Sequence, residues 1–329
     1  MLRKAWYAVC PSSEVAADPK KVTVNGRDYV LYRDKTGRIV ACNGYCPHRG
    51  CDLSMGSIHE GELVCPFHGW HFEGTGSCTH IPANKLGTPI PPSYRLNTYP
   101  VTELAELVWL YTHPNLDAPA PTSFATFADL LHDDWQYVSF EQTWQAHFTR
   151  AVESVLDVSH LPFVHPETTG TDVDPTVIGP EYTVKGKRIV IYPTPFAPSH
   201  PMEPVHPTQD AHLRTEIELL FPNQWIIRTP FGNDGIMCTF LTFTPVHDDV
   251  TSIFGIAMRN FDLDAPWMDA FHIDHTLRVM AQDQRIVESL RPRIAPFQLQ
   301  DERHVPSDVP AIRFRVMLRN ALKEEQGGF

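Results

Sequence analysis

The stretch NGYCPHRGC, residues 43–51, places two cysteines and one histidine beside two glycines and a proline. A disulfide, a zinc ion and an iron–sulfur cluster all use these residue types. Nineteen residues after Cys46, the stretch CPFH supplies a second pair, Cys65 and His68. The chain therefore offers one Cys-x-His loop and one Cys-x-x-His loop, and what these side chains bind decides the fold around them.

Length and composition limit the classes of protein to which these loops can belong. The 329 residues are too many for one ordinary core and suggest two domains, which 42% hydrophobic residues suffice to fill. The net charge of −12 and the pI near 5.7 argue against nucleic acid or an anionic membrane as the main partner. A local basic patch in RPRIAPFQLQDER, residues 291–303, is the weaker alternative.

The N-terminus and the cysteines bear on cellular location. The apolar part of MLRKAWYAVCPSSEV is too short for a signal peptide, and no apolar run approaches the roughly 20 residues of a membrane helix. We therefore expect a soluble cytoplasmic protein without a membrane partner. Seven cysteines are an odd number in a chain without a secretory signal, which favours metal ligation over a disulfide framework.

The first part of the chain has the pattern of a β domain. Short β-branched and aromatic runs between about residues 20 and 112 alternate with Asn-Gly, Thr-Gly and Glu-Gly turn signals. They predict a small antiparallel β domain. The segment HPNLDAPAPTSFATF, residues 113–127, interrupts this pattern, so we predict two domains with the bounds 1–115 and 116–329.

The second part of the chain mixes strand and helix periodicities. Several long apolar stretches between residues 181 and 261 predict the strands of one sheet. AHFTRAVESVLDVSH, residues 146–160, predicts a helix that stops before Pro162, and a second, long helix is expected from Pro266 to Pro292. The fold class is therefore α+β, with an antiparallel sheet and helices packed on it.

The two Cys-His loops leave two metal centres open. Tetrahedral zinc accepts two thiolates and two imidazoles, but zinc fingers commonly pair Cys with Cys and His with His. Each loop here offers one of each, which resembles the Rieske [2Fe–2S] centre, where both cysteines ligate one iron and both histidines the other. CPHRG and CPFHGWHFEGTGSC also resemble the Rieske loops of ring-hydroxylating oxygenases. This resemblance implies that Cys46, His48, Cys65 and His68 hold the cluster, with zinc as the main alternative.

Cys51 stands apart from these ligands. In Rieske proteins of respiratory complexes, a cysteine five residues after the first ligand forms a disulfide with one between the second Cys and His ligands. Phe67 occupies that second position here. The resemblance therefore implies that Cys51 is a free, buried thiol, with Cys78 as a minor candidate partner.

A second group of ligands lies in ESVLDVSHLPFVHP, residues 153–166. Asp157 and His160 are three residues apart, so we expect them on one helical face, and the turn after Pro162 can return His165 to the same point. The spacing Asp-x-x-His-x-x-x-x-His resembles the mononuclear iron site of Rieske oxygenases. Two histidines with one carboxylate suit non-haem Fe(II) and O₂.

The carboxylate ligand has to come from elsewhere in the chain. In the family it lies on a late helix, and VMAQDQRIVESL, residues 279–290, is similar in type and position. The resemblance points to Asp283 as the ligand, with Glu288, Asp274 and Glu153 as weaker rivals. His272, three turns before Asp283, is expected to border the site rather than bind iron.

The resemblance gives Asp157 a role different from that of the histidines. In the family this aspartate connects a cluster histidine of one subunit to an iron-site histidine of the next through hydrogen bonds. Carried over, Asp157 would join His68 of one copy to His160 of a neighbour, which implies a ring, most often a homotrimer. The family often has Asn three residues before this Asp, and Ser154 departs from that pattern.

As a whole, the chain resembles the oxygenase component of a Rieske non-haem iron system, with a helix-grip catalytic domain after the Rieske domain. AWYAV and RNFDLDAP most resemble the vanillate and dicamba O-demethylases. The resemblance implies monooxygenation of a small aromatic, heterocyclic or alicyclic substrate, as in aromatic catabolism, with cis-dihydroxylation by a dioxygenase as the alternative. No Gly-rich dinucleotide fingerprint occurs, so NAD(P)H-derived electrons would come through a separate reductase or ferredoxin.

Two further classes and several pocket residues stay open at this point. The classes are a Rieske electron-transfer protein without catalytic iron and a zinc-dependent binding protein. Periodicity does not separate core from substrate-facing positions among Trp225, Ile227, Phe240 and Phe254. His200 and His206, in PSHPMEPVHP, fit a polar lid or a solvated surface equally well.

Overall fold

The computed structural model describes residues 1–113, 121, 123–132, 134–167, 181–192, 215–232 and 235–327. It divides into two compact units, Arg3–Ala125 and Thr126–Phe329, the latter together with Met1–Leu2. The predicted boundary between residues 115 and 116 lies outside the described residues, as do His200 and His206, and these stay predictions. Within the ranges described, no helix has the length and apolarity required to cross a membrane.

The N-terminal unit consists of three small antiparallel sheets. The orders of their strands are β1-β11-β10, β2-β3-β4-β9 and β5-β6-β7-β8. The strands are β1 Ala5–Pro11, β2 Lys20–Val24, β3 Arg27–Arg33, β4 Ile39–Asn43, β5 Ser57–His59, β6 Glu62–Val64, β7 His71–Phe72, β8 Cys78–His80, β9 Thr98–Tyr99, β10 Val101–Leu104 and β11 Leu107–Thr112. The predicted antiparallel β domain is confirmed.

Two-residue turns set the register of these hairpins. Asn25 and Gly26 join β2 to β3 with φ of 52° and 70°, and Glu60 and Gly61 join β5 to β6 with φ of 51° and 78°. Positive φ at both central residues is the geometry that suits the right-handed twist of flanking strands. A side chain at Gly61 would also lie 2.1 Å from the backbone nitrogen of Lys35. The dipeptide signals in the sequence therefore mark true hairpins.

The C-terminal unit contains one seven-stranded antiparallel sheet in the order β12-β18-β17-β16-β15-β14-β13. Its strands are β12 Gln136–Trp144, β13 Glu181–Lys185, β14 Arg188–Tyr192, β15 Glu216–Leu220, β16 Gln224–Phe231, β17 Gly235–His247 and β18 Val250–Arg259. The helices are α1 Phe148–Ser154, α2 Leu161–Val164, α3 Pro266–Val287 and α4 Val309–Gly327. This arrangement confirms the α+β class, with a long helix after the sheet.

Two contacts identify the face of the sheet that lies against the helices. Thr239 pairs with Ile227 across β16 and β17, and its hydroxyl lies 3.0 Å from Nε2 of His272 on α3. The Trp225 indole donates to the carbonyl of Val155 beyond α1 at 2.9 Å. Since alternate residues of a strand share a face, Trp225 and Ile227 both face the helices.

Phe240 and Phe254, the other two residues whose position was left open by periodicity, lie on the opposite face of the sheet. Phe240 is directly opposite Ile226, and its ring packs edge-on against Phe127 at 6.1 Å. Phe254 pairs with Thr242, which shares the face of Phe240. Both phenylalanines are therefore core residues on the side of the sheet away from α3.

The predicted helix over residues 146–160 is wrong in its second half. Helix α1 ends at Ser154, and Asp157 accepts hydrogen bonds from the backbone N–H and the hydroxyl of Ser159 at 2.7 and 2.6 Å. This local side-chain bond competes with the helical backbone, so Asp157 and His160 do not share a helix. Pro162 does not end a helix but lies in the first turn of α2, where its missing N–H costs nothing.

The long helix and its neighbours show a second set of differences. Pro266 begins α3 as predicted, but the helix ends at Val287 rather than near Pro292. Strand β12 and helix α4 were not predicted from the sequence. Helix α4 carries Phe314 and Leu318 into the core together with the charged Arg315, so its apolar stripe is interrupted.

Candidate metal centres

The two Cys-His loops of the N-terminal unit have the same backbone form. Gly50 N–H donates to the Cys46 carbonyl at 2.8 Å, and Gly69 N–H donates to the Cys65 carbonyl at 3.0 Å. Both glycines have left-handed backbone conformations, with φ of 69° and 66°. Gly69 also faces Pro82, whose ring would lie 3.0 Å from an added Cβ. Each loop therefore turns back after its cysteine in a conformation that favours glycine.

The four predicted cluster ligands differ in solvent exposure according to residue type. Cys46 and Cys65 are 3% and 2% exposed, whereas His48 and His68 are exposed, with ring centroids 4.6 Å apart. The His48 ring also stacks on Trp70 at 4.7 Å with an interplanar angle of 6°. The thiols thus face the core and the imidazoles face the surface, as a two-iron cluster with one buried and one exposed iron requires.

Electrostatics and spacing bear on which metal these ligands fit. Burial, together with the neighbouring Cys65, raises the pKa of the Cys46 thiol to about 12, so a thiolate at Cys46 needs a strong local cation. In the described part of the chain, no three ligand atoms of Cys46, His48, Cys65 and His68 lie within 4.8 Å of one another. One tetrahedral zinc ion would need all four closer than that, whereas a two-iron cluster takes two ligands at each iron.

Cys51 differs in one respect from its prediction. It is free, and its Sγ lies 3.8 Å from the carbonyl of Asp52, but it is half-buried rather than buried. Phe67, which occupies the position of the disulfide partner in respiratory Rieske proteins, is 60% exposed. Cys78 is also free, and its thiol donates to the His80 carbonyl at 3.7 Å rather than bonding Cys51.

In the C-terminal unit, one helical turn places the two histidines side by side. His160 precedes α2 and His165 follows it, and the His165 N–H donates to the Leu161 carbonyl at 3.0 Å. The ring centroids of His160 and His165 are consequently 5.2 Å apart. The single turn of α2 is therefore enough to bring both imidazoles together, and no long helix is required.

Helix α3 supplies the carboxylate. Asp283 Oδ1 lies 3.3 Å from His160 Nε2 and 3.0 Å from His165 Nε2. Among the residues described, His160, His165 and Asp283 form the set whose three ligand atoms lie within 4.8 Å of one another. The structure thus brings together the three residues chosen from the sequence as ligands of the mononuclear iron.

The charges around this group favour a cation. Burial works to lower the pKa of His160, but the carboxylates of Asp157 and Asp283 overcome it and raise that pKa to about 9. Burial likewise opposes ionisation of Asp283, yet His160 and His165 hold its pKa below the usual value. Two imidazoles and one carboxylate facing a common point are the donor set of non-haem Fe(II) sites with open positions.

A residue that was not predicted fixes the orientation of His165. The side-chain carbonyl of Gln282 lies 2.8 Å from His165 Nδ1. Because a carbonyl only accepts, Nδ1 carries the proton and Nε2 presents its lone pair toward Asp283 and His160. Gln282 is adjacent to Asp283 in the sequence, and this polar residue beside the proposed ligand was the sequence signal that could have indicated its role.

Asp157 lies at the outer edge of the same group. Its Oδ1 is held by Ser159, and its Oδ2 lies 3.7 Å from His160 Nδ1. Burial opposes ionisation, but His160 and Ser159 keep the pKa of Asp157 below its usual value. Ser154 donates to the Ala151 carbonyl of its own helix at 2.9 Å. Its hydroxyl therefore does not make the longer-range polar contact that an Asn side chain at this position could make.

The rival carboxylates have other partners. Glu288 accepts from the backbone N–H of Gln145 at 2.8 Å, and the exposed Asp274 pairs with Arg278 one turn further along α3. Glu153 receives a two-point bond from the guanidinium of Arg315 at 2.8 and 2.7 Å. None of the three shares an ion pair with His160 or His165 among the contacts described.

A cavity of about 480 Å³ opens beside these ligands. Asp157, His160 and Asp283 line one side of it. A network of charged side chains also lines it, in which Arg150 and Arg315 each bond Glu302 and Arg315 also bonds Glu153. Apolar side chains complete the lining, so the cavity offers both charged groups and apolar surface; they are Val164, Ile286, Val287, Leu290, Ala311 and Ile312.

Known families match both halves of the chain. Residues 5–100 match the Rieske [2Fe-2S] domain, and residues 144–324 match the vanillate O-demethylase oxygenase C-terminal domain. The two Cys-His loops lie inside the first match, and His160, His165 and Asp283 lie inside the second. The second match alone covers more than half of the chain.

Individual relatives and solved structures agree with these domains. The chain is 34% identical over 176 residues to the toluene-4-sulfonate monooxygenase system iron-sulfur subunit of Comamonas testosteroni, covering 52% of this chain and 48% of that protein. It thus spans about half the length of the first curated relatives it matches. The methylxanthine N1-demethylase of Pseudomonas putida is 26% identical over 346 residues, covering 98% and 90%. Dicamba monooxygenase bound to 3,6-dichlorosalicylic acid has a TM-score of 0.84 at 23% identity and 99% coverage of both chains, which shows a shared fold.

Proposed function

We propose that this chain, which belongs to the Rieske non-haem iron oxygenases, is the oxygenase component of a multicomponent monooxygenase. The reaction is hydroxylation or oxidative demethylation of a small organic substrate with O₂. One observation carries the proposal: His160, His165 and Asp283 converge in a chain that also has two Rieske loops. A carrier of electrons alone would have no use for the second group of ligands.

The residues present fit both cofactors. Cys46, His48, Cys65 and His68 would hold a [2Fe–2S] cluster, and the three converging residues would hold Fe(II). When bound, the cluster supplies single electrons and the Fe(II) supplies a site for O₂ activation. Gln282 keeps His165 in the metal-binding tautomer, and Asp283 provides the negative charge that offsets the cation.

Asp157 is proposed as the bridge by which electrons reach the catalytic site from a second copy of this chain. Asp157 lines the cavity beside the ligands and is half-buried, so a group from outside the chain can approach it. The exposed His68 of a neighbouring copy, next to the exposed Phe67, is such a group. A ring of copies, most simply a homotrimer, places every cluster loop at a neighbour's Asp157.

The substrate is proposed to bind between the sheet and α3. Ile227 and Met237 lie on the sheet face toward α3 and are half-buried, so an apolar surface is accessible there. Burial lowers the pKa of His272 to about 4, so its imidazole beside Thr239 is neutral at physiological pH. This surface suits a largely apolar aromatic, heterocyclic or alicyclic molecule.

Electrons are proposed to come from NAD(P)H through a separate reductase or ferredoxin in the cytoplasm. The relatives named as a monooxygenase subunit and a demethylase support monooxygenation. Cis-dihydroxylation is the alternative, because the same ligands serve both outcomes in this family. The two reactions differ in the number of oxygen atoms that the product gains from O₂.

Metal analysis of the purified protein tests the proposal first. We expect three irons and two acid-labile sulfides per chain, and the reduced protein should give the EPR signal of a Rieske cluster. Two irons per chain would support an electron-transfer protein, and zinc without a Rieske signal would support a zinc-dependent binding protein.

Substrate screening tests the reaction. With a generic reductase, methoxy-aromatics, N-methyl heterocycles and alicyclic compounds are screened for stimulated O₂ uptake, and products are analysed after reaction under ¹⁸O₂. One labelled oxygen per turnover in the organic product or released aldehyde supports monooxygenation. Two labels in a single diol product would overturn it in favour of dihydroxylation.

A further inference from the structure

A patch of histidines covers one face of the β5–β8 sheet. His59 is directly opposite Glu62 across β5 and β6, and His71 is directly opposite His80 across β7 and β8. Residues directly opposite each other share a face of the sheet, and so do alternate residues of one strand. Val64 pairs with His71 and alternates with Glu62 on β6, so the first pair lies on the same face as the second. The four polar residues, which we term the histidine patch, are therefore on one face.

The opposite face of the same sheet belongs to the core. Leu63 and Phe72 alternate with the patch residues along β6 and β7 and are both 0% exposed. His59 and His80 are exposed, and the side chain of His71 is 20% exposed. The patch is thus an outward surface on a rigid support, and none of its residues is a predicted ligand of the cluster.

The rings of the patch lie close together. The centroids of His71 and His80 are 5.3 Å apart, and those of His59 and His71 are 5.8 Å apart, both in edge-on arrangements. His71 is the central member because it contacts both other rings. His80 is its direct neighbour on the next strand, whereas His59 reaches it across the intervening strand β6.

The environment of His71 prepares one of its nitrogens to bind a metal. Glu62 Oε2 lies 3.2 Å from His71 Nδ1, and the Thr79 hydroxyl donates to the same oxygen at 2.9 Å. A carboxylate only accepts, so Nδ1 carries the proton and Nε2 keeps its lone pair. A carboxylate behind the histidine in this way fixes the tautomer and raises ligand basicity in metal sites.

We propose that the histidine patch binds a divalent metal of borderline softness, such as Zn²⁺, Ni²⁺ or Cu²⁺. His71 and His80 chelate the ion across β7 and β8, Glu62 orients His71, and His59 adds a weaker contact from the other side. Imidazole suits these metals, and water completes the coordination at an open surface. The patch does not bring three ligand atoms within 4.8 Å, so it is a two-histidine chelate rather than an enclosed site.

The position of the patch gives metal binding a structural consequence. Strand β6 ends one residue before Cys65, and β7 begins three residues after His68. An ion held by His71 and His80 would fasten β7 to β8 and so stabilise the base of this loop. The inference does not depend on the proposed oxygenase function, because the patch shares no residue with it.

Zinc titration of the iron-loaded protein tests the inference. We expect equilibrium dialysis against Zn²⁺ to show one zinc per chain above the iron content, with the iron retained. His80→Ala should weaken zinc binding by at least about tenfold, and Glu62→Gln by about tenfold, because a ligand and its carboxylate partner are lost. His71→Gln is a second ligand variant, and the visible spectrum of the cluster reports whether each variant is folded.

A matched control separates the patch from general surface binding. His132→Ala removes an exposed histidine that pairs with Asp134 at 3.8 Å and stacks on Trp135, away from the patch residues in the sequence, and zinc binding should not change. Equal zinc affinity in the wild type and His80→Ala would overturn the inference. So would zinc uptake accompanied by an equal loss of iron, because the ion would then occupy the mononuclear site.

Discussion

The two proposed metal centres draw their ligands from very different distances along the chain. Cys46 and His68 are 22 positions apart, and two hairpin loops of the same backbone form present all four proposed cluster ligands. His160 and Asp283 are 123 positions apart, with most of the seven-stranded sheet between them. The proposed cluster site therefore depends on local turns, whereas the proposed catalytic site depends on how α3 packs in its unit. Changes in that packing should damage the second site and spare the first.

The largest effect is expected from Asp283→Ala. Loss of the carboxylate leaves two imidazoles without the charge that offsets the cation, so the variant should lose the mononuclear iron and all turnover. Elemental analysis should show two irons instead of three, with an unchanged visible spectrum of the cluster. Asp274→Ala, on the same helix and paired with Arg278, is the control and should keep all three. Concurrent loss of the cluster would show that the two centres are not independent.

A smaller effect is expected from Asp157→Asn. The change keeps shape but removes the charge beside His160 Nδ1, so both metal sites should stay filled while turnover falls about 10- to 100-fold. Stopped-flow reoxidation of the reduced cluster, with substrate and O₂, measures the step directly. Ser159→Ala leaves the carboxylate charged and should cost less. A wild-type rate in Asp157→Asn would contradict the proposed route between copies.

Gln282→Leu probes the support of a single ligand. Without the carbonyl that accepts from His165 Nδ1, the imidazole is no longer fixed, and iron affinity should fall by about tenfold. Competition with a ferrous chelator measures this affinity. Gln282→Glu keeps an acceptor and should restore most of it. Gln284→Leu is the matched control, since Gln284 bonds Glu288 instead; an equal loss there would indicate general damage to α3.

The smallest effect concerns acid stability of the C-terminal unit. Buried His147 caps α1 and accepts the Thr149 N–H at 3.2 Å, and burial lowers its pKa to about 4. The unfolded chain protonates His147 near its ordinary value of 6.5, so the contribution to the free energy of unfolding is complete above that pH and shrinks as pH falls toward 4. We expect a loss of roughly 1 to 2 kcal/mol between pH 7 and pH 5.

Urea unfolding at the two pH values measures this loss. His147→Asn keeps a cap acceptor without the titration, so its pH dependence should be smaller by that amount. Bleaching of the cluster, which reports on the N-terminal unit, should show no such difference between wild type and variant. An unchanged pH dependence in His147→Asn would assign the acid sensitivity to other groups.

Local signals predicted more of the N-terminal unit than of the C-terminal unit. The Asn25-Gly26 and Glu60-Gly61 turns were predictable because only a few dipeptides tolerate positive φ at two successive positions. The break after Ser154 was not, because it depends on the competition between the Asp157 carboxylate and the helical backbone. Helix α4 was missed because a buried charge, Arg315, interrupts its apolar stripe.

By itself, the sequence determined the candidate ligands, the order of the two domains and the family, because metal ligation and hairpin turns require particular residues at short spacings. It also singled out Asp283 by its resemblance to the family. Only the tertiary structure decided that Asp283 meets His160 and His165, that Gln282 orients His165, and that Phe240 and Phe254 lie behind the sheet. Those facts depend on contacts between residues distant in the chain, which packing creates and periodicity does not record.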